Sequence, residues 1–303
     1  MSQASQAIQR AGTVALIGRP NVGKSTLLNA LLGERIAITS PHPQTTRDRI
    51  AGILSFEGAQ LVFLDTPGFH EARNKLGVRM NELARGAADE CDVAVFLTDA
   101  SGPPRDDDRA ILGHVPEATP IVLGINKVDR VKPRSALLPA LEAWGKERAF
   151  AAVVPIAAKN GDGVQRLLGE VAKLVPKGDA LFAEDELTDK PVRFLVGELV
   201  REQILRRTRQ EVPHGVAVTV ERFDEAGKQV RIAVTVHVAK DSHKGILIGD
   251  KGKMLAAIGT EARKRAEELL GKKVHLETFV RATPKWFDDA ARLKELGYGG
   301  ETK

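Results

Sequence analysis

The sequence predicts two domains, a three-layer α/β sandwich followed by a smaller α+β domain. Three features of the chain predict this. Through the first half, apolar runs of strand length alternate with helical patterns, the signature of an α/β sheet with helices on both faces. Residues 176–191, PKGDALFAEDELTDKP, then break the alternation, because prolines and a glycine bracket an acidic run without periodicity. Beyond them the order becomes helix, strand, strand, helix, loop, helix, strand. The expected division is 1–175 for the sandwich, 176–191 for a linker, and 192–303 for the second domain with a C-terminal helix.

Composition sets the bounds. A chain of 303 residues has length for two cores, and 43% hydrophobic with 28% charged residues is ordinary for a soluble globular protein. Only 4% are aromatic, so the cores must be aliphatic and alanine-rich. The one cysteine, Cys91, cannot form an intrachain disulfide, which suits a reducing cytosol. The first dozen residues lack an apolar signal core, and no apolar run reaches about 18 residues, so neither secretion nor a membrane span is expected. A net charge of +5 permits an anionic partner, and its distribution says more. The stretch 240–285 carries 11 basic and 6 acidic side chains, whereas 1–180 is nearly balanced at 22 and 20.

The first strand, 13–18, runs into Gly18-Arg19-Pro20-Asn21-Val22-Gly23-Lys24-Ser25, and a helix over 24–33 follows from Lys24 through Thr26. Strand, glycine loop and helix are the context that G-x-x-x-x-G-K-[ST] requires. Gly18 and Gly23 let the backbone turn its N–H groups onto phosphate oxygens, and the opening helix adds the positive end of its dipole. Lys24 is expected to reach the β- and γ-phosphates, and the Ser25 hydroxyl to hold Mg²⁺. The loop 34–49 is long and contains Gln44-Thr45-Thr46-Arg47; Thr46, with Thr45 as the alternative, is expected to close over Mg²⁺ and the γ-phosphate.

Strands over 50–56 and 60–65 come next, and the second ends at Asp65-Thr66-Pro67-Gly68. The aspartate can hold a Mg²⁺-bound water, and Gly68 can turn its N–H onto a γ-phosphate, so loss of that phosphate would release the loop. Further on, a helix over 76–89, a strand over 92–98 and a helix over 106–113 lead to the strand 120–126. That strand ends at Asn126-Lys127-Val128-Asp129. A carboxylate at Asp129 can accept from guanine N1–H and the exocyclic amine together, which adenine cannot offer. The Lys127 stem can lie across the base, and Asn126 can contact the base edge or tie neighbouring loops. A helix over 134–148, a strand over 152–156 and a helix over 164–174 complete the domain. These motifs lie at the carboxyl ends of strands, where such sheets bind ligands.

In their order and spacing these motifs resemble the translation-factor class of P-loop GTPases. Two positions depart from it. The base-contacting loop usually reads Ser-Ala, but here Ala157-Ala158-Lys159 has an alanine in the serine's place. The Ala158 N–H is still expected to meet the guanine carbonyl. The residue after Gly68 is Phe69, which cannot orient water as a Ras-type glutamine does, so slow intrinsic hydrolysis is expected. Asn21 offers a carbonyl oxygen for a potassium ion that would supply the missing positive charge. The resemblance to GTPases with a similar Pro-Asn-x-Gly-Lys-Ser loop implies that potassium acts here in this way.

In the second domain a helix over 192–208 precedes strands over 215–223 and 229–239, joined by the hairpin signal Asp224-Glu-Ala-Gly-Lys228. Lys244 to Lys253 reads KGILIGDKGK, and a helix (253–270) and a strand (274–282) follow. Gly249-Asp250-Lys251-Gly252 is a G-x-x-G loop that lets a nucleic-acid backbone approach, with Lys244, Ile248, Lys251 and Lys253 around it. This order is that of a type II KH domain.

A P-loop GTPase domain with a C-terminal type II KH domain is similar to the Era GTPases. The resemblance rests on GRPNVGKS, PQTTR, DTPG, NKVD, GILIGDKG and the tail from Trp286 to Tyr298, and covers nearly the whole chain. It implies a GTP/GDP-binding switch, a monomer in the cytoplasm, acting in small ribosomal subunit assembly by binding the 3′ end of the small-subunit ribosomal RNA. It also implies peripheral association with the inner membrane in some members. A non-catalytic RNA-binding module that merely senses GTP is the competing reading.

Overall fold

The computed structural model describes residues 8–209 and 212–299; the expected domain ends at 1–7 and 300–303 lie outside the described residues. The chain separates into two compact units. One takes the chain up to Ala37 together with Thr46–Glu71 and Arg79–Asp189. The other takes Ile38–Thr45, Ala72–Val78 and everything from Lys190 on.

The first unit is built on a six-stranded sheet in the order β2-β3-β1-β4-β5-β6. Its strands are β1 (Arg10–Ile17), β2 (Ile50–Phe56), β3 (Ala59–Asp65), β4 (Val93–Asp99), β5 (Ile121–Asn126) and β6 (Ala152–Pro155). All neighbours are parallel except the β2–β3 hairpin. β3, β4 and β5 are buried almost throughout, because helices cover both faces and a parallel sheet must be apolar on each. Helices α1 (Lys24–Leu32) and α5 (Val164–Leu174) pack together on one side. On the other, α2 (Lys75–Glu90), α3 (Asp106–Leu112) and α4 (Leu138–Trp144) bury Ala84, Ile111 and Trp144 against Phe96 and Leu123.

Long-range contacts move some boundaries. β1 starts at Arg10 rather than 13 because Ala11 N–H bonds Pro176 O (3.2 Å) and the Arg10 guanidinium bonds Val175 O (2.6 Å). The single helix expected over 134–148 is a 3₁₀ turn, Arg134–Leu137, and then α4. Pro139, lacking an N–H, fits only at a helix start, so α4 begins beside it. The stretch 176–189 lies along this unit. Gln60, 1% exposed, accepts from the N–H groups of Leu181 (2.7 Å) and Phe182 (2.9 Å) and donates to Phe182 O (2.9 Å). Further along, Ile53 N–H donates to Leu187 O (2.9 Å) and Ala51 N–H to Asp189 Oδ1 (2.8 Å).

The second unit has a three-stranded sheet of β7 (Val216–Asp224), β8 (Gln229–Val238) and β9 (Lys273–Ala282), with β8 antiparallel to β7 and parallel to β9. Val230, Ile232, Val234 and Val236 of β8 alternate inward onto α6 (Val192–Arg207) and α8 (Lys253–Leu270). Before α8 comes α7 (Asp241–Ile248); after β9, a short α9 (Ala290–Glu295) is capped by Asp289. Trp286 is fully buried, bonds Gly215 O through its indole N–H (3.0 Å) and stacks on Tyr298. Among the described residues no helix is long and apolar enough to cross a membrane.

Candidate functional site

The site of the first unit starts where β1 ends. Gly18 has φ 145°, and a Cβ there would lie 2.2 Å from Leu97 O, so only glycine lets the loop pass β4. The loop curls around Lys24, whose ammonium donates to Gly18 O (2.9 Å) and Arg19 O (3.2 Å). Burial pushes Lys24 down to about 8, against the opposing pull of Asp65. Arg19 is tied to Asp108 (Nε to Oδ1, 2.7 Å), and the same carboxylate accepts from the Arg105 N–H at the start of α3. Val22 is buried, whereas Asn21 is exposed with φ 62°. Thr26 is half-buried in the first turn of α1.

Ser25, Thr46 and Asp65 converge from α1, the long loop and the end of β3. The Ser25 hydroxyl is 2.7 Å from Asp65 Oδ2 and 2.9 Å from the Thr46 hydroxyl, and Thr46 is 3.3 Å from Asp65 Oδ2. Thr45 is not in this cluster: its hydroxyl bonds His42 O and Ser40 Oγ, each at 2.7 Å. Asp65 is fully buried, its Oδ1 has no hydrogen-bond partner, and burial raises its pKa while Ser25, Lys24 and Thr46 oppose the rise. Three hard oxygens with one buried carboxylate oxygen unsatisfied fit Mg²⁺, which takes few protein oxygens and keeps its waters. Among the described residues no His/Cys/Asp/Glu cluster suits a metal.

Thr66 donates to Leu16 O (3.1 Å), and beyond Pro67 the loop brings Gly68 against the phosphate loop. A Cβ on Gly68 would sit 2.8 Å from the Pro20 nitrogen. The Phe69 ring turns inward, 9% exposed and stacked on His114 at 5.1 Å between centroids.

At the end of β5 the Asn126 side chain ties loops together. It donates to Val22 O (2.8 Å) and accepts from the N–H groups of Lys127 (2.8 Å) and Ala158 (3.0 Å). The Ala158 N–H, expected to face a base, is thus donated to Asn126. Lys127 bonds Asn21 O (2.6 Å), which draws its stem toward the phosphate loop. Asp129 is exposed in the 3₁₀ turn Val128–Arg130. The missing serine hydroxyl leaves no gap. Ala157 is buried among core side chains, and its N–H pairs with Asp162 O (2.9 Å), so backbone bonds hold the loop; Lys159 is exposed. Asp99 went unrecognised in the sequence. Ser101, Lys127 and Arg19 hold its carboxyl below the usual range although burial opposes them. Its place at the end of β4 was the available signal.

In the second unit the G-x-x-G loop joins α7 to α8. Gly249 has φ 69°, and a Cβ there would lie 2.7 Å from Met254 Cβ, so the turn requires glycine. Asp250, Lys251 and Lys253 are exposed, Lys244 and Ile248 half-exposed, and Gly252 caps α8. Lys253 pairs with Asp250 at 3.4 Å.

Fold and site define a P-loop GTPase domain joined to a KH domain. Family models agree: a 50S ribosome-binding GTPase model matches residues 13–127, and a KH domain model matches 211–287. The chain is 49% identical to the GTPase Era of Geobacter metallireducens over 95% of its length and 98% of that protein's. It is 47% identical to that of Xanthomonas oryzae pv. oryzae, covering 95% and 97%. Among solved structures it matches Era in complex with MgGDPNP and nucleotides 1506–1542 of 16S ribosomal RNA, with a TM-score of 0.93 and 37% identity. That match covers 96% of this chain and all of the other, as does a match of equal score to Aquifex aeolicus Era bound to GDP.AlF4-. The chain belongs to the GTPase Era family, and it is a GTPase.

Proposed function

We propose that this chain is a slow, Mg²⁺-dependent GTP switch that binds the 3′ end of the small-subunit ribosomal RNA and acts in small-subunit assembly. The observation that carries the nucleotide half is the convergence of Ser25, Thr46 and Asp65 beside the phosphate loop. A magnesium ion held there supplies positive charge toward the β- and γ-phosphates. Residues 18–26 and 65–68, with Lys24, surround the phosphates, and Thr46 and Gly68 answer the γ-phosphate. Lys127, Asp129 and the 157–159 loop take guanine, with Asn126 holding those loops in register. The base carbonyl then competes with Asn126 for the Ala158 N–H. Phe69, packed inward, cannot itself orient the attacking water, which supports slow turnover.

The RNA half rests on the exposed lysines around the G-x-x-G loop and on the similarity to a solved structure that holds nucleotides 1506–1542. We infer a cytoplasmic monomer, with peripheral membrane contact carried only by the family resemblance. Crosslinking the protein to RNA in cells and sequencing the bound sites tests the partner: reads should concentrate at the small-subunit 3′ end, and a different RNA would overturn it. Potassium at Asn21 is tested by turnover in KCl against NaCl at equal ionic strength. Wild type should be faster in KCl and Asn21→Ala indifferent.

A further inference from the structure

We propose that Arg201 is a positioning residue for GTP hydrolysis: through the carbonyl of Thr45 it sets Thr46, the next residue along the chain. The proposal rests on the reading of Thr46 as a Mg²⁺ ligand. Segment Ile38–Thr45 belongs to the second compact unit, and one helix there grips it. On α6, Glu198, Arg201, Glu202 and Arg206 stand at helical spacing, so they form one polar stripe. The Arg201 guanidinium, with no solvent exposure, donates to Thr45 O and is held by both oxygens of Glu198, Nε lying 2.7 Å from Oε1. The buried Glu202 carboxylate accepts from Thr39 N–H (3.0 Å) and pairs with Arg206 (2.9 Å). The Arg206 guanidinium also reaches Thr39 O (3.4 Å), and His42 Nε2 lies 3.1 Å from Thr208 O just past the helix end.

A KH core gains little from such a stripe. Buried charges cost solvation, and apolar residues of equal volume usually serve stability as well. Arg201 Nη1 is buried without a hydrogen-bond partner, a further cost that the fold alone does not require. What the stripe provides is a fixed path for residues 39–45. That path ends one peptide before the hydroxyl that meets Ser25 and Asp65. When metal and GTP order the loop, docking of this segment on α6 delivers the Thr46 hydroxyl in one position.

The test uses the full chain. Arg201→Met combined with Glu198→Gln removes the grip and its counter-charge while preserving volume, so the helix keeps its packing. Thr46→Ala is measured beside it. The double variant should hydrolyse GTP about tenfold more slowly and need several-fold more Mg²⁺ for half-maximal rate. Its GDP affinity should stay within about twofold of wild type, because GDP makes no demand on Thr46. A merely structural role for Arg201 would leave the Mg²⁺ requirement where it is. If Thr46→Ala loses activity while the double variant keeps wild-type rate and Mg²⁺ dependence, Arg201 does not position the threonine. If Thr46→Ala is itself indistinguishable from wild type, the reading of Thr46 fails and this proposal with it. Should the double variant not fold, Arg201→Lys alone carries the same comparison: a lysine ammonium pairs with Glu198 but lacks the fork that also reaches Thr45 O, so a raised Mg²⁺ requirement supports the grip and an unchanged one overturns it.

Discussion

Asp129 shows what a single residue commits the protein to. It is exposed in a short turn, and we read its carboxylate as the acceptor for a base that offers two donors. Asp129→Asn should weaken GTP at least about tenfold and shift preference toward xanthine nucleotides, because an amide both donates and accepts. Competition binding with both nucleotides checks it, and retained guanine preference would remove the assignment. Cys91 offers a pH test. Burial pushes its thiol up to about 11 from 9.0. Its folded pKa lies above its unfolded one, so the stability it contributes is complete below pH 9.0 and is lost as pH rises through about 11. Alkylation at pH 8.5 should therefore run tens of times slower, roughly 75-fold, on native than on unfolded protein. Equal rates would show an accessible thiol. At this scale the sequence was most legible where a motif fixes neighbours along the chain: Gly18 to Ser25 needed only its own strand and helix. It was least legible where the partner is distant. Nothing near Arg19 points to Asp108, and nothing near Thr45 points to Arg201.

Single elements show where local signals are enough. β2 occupies the expected 50–56 because its apolar run is bounded by turns that no distant contact extends. The helix expected over 134–148 divides because apolar spacing takes no account of the missing N–H of Pro139. The G-x-x-G element carries the RNA prediction. Gly249→Asp would strain the turn as well as repel phosphate, so a lost affinity would be ambiguous. Gly252 is the cleaner position: it is the N-cap of α8, φ 79°, and a Cβ there would meet nothing within 4 Å. Aspartate is among the few side chains that visit this left-handed backbone, at a cost of about 1 kcal/mol. Gly252→Asp should therefore stay folded, melting a few degrees lower, yet bind RNA at least about tenfold more weakly, with the salt dependence flattened by about one phosphate contact. Unchanged affinity and slope, measured by fluorescence anisotropy across a salt series, would place the RNA elsewhere.

For the whole molecule, the two compact units do not follow the chain in simple order, since Ile38–Thr45 and Ala72–Val78 group with the KH body. Both stretches flank residues read as answering the γ-phosphate, Thr46 and Gly68. Limited trypsin digestion should cut between Arg35 and Arg49 readily with GDP and slowly with a non-hydrolysable GTP analogue. Identical digestion in both states would argue against a nucleotide-dependent switch. The change of composition over 176–191 could not show that 176–189 returns along the first unit, because Gln60 and Ile53 lie more than a hundred residues earlier. That return has a consequence for the outermost strand. β2 ends the sheet, and Leu187 and Asp189 satisfy N–H groups of Ile53 and Ala51 that would otherwise offer a template to another chain. A fragment ending at 175 should expose that template and self-associate with time, whereas one ending at 189 carries its own cover and should remain dispersed.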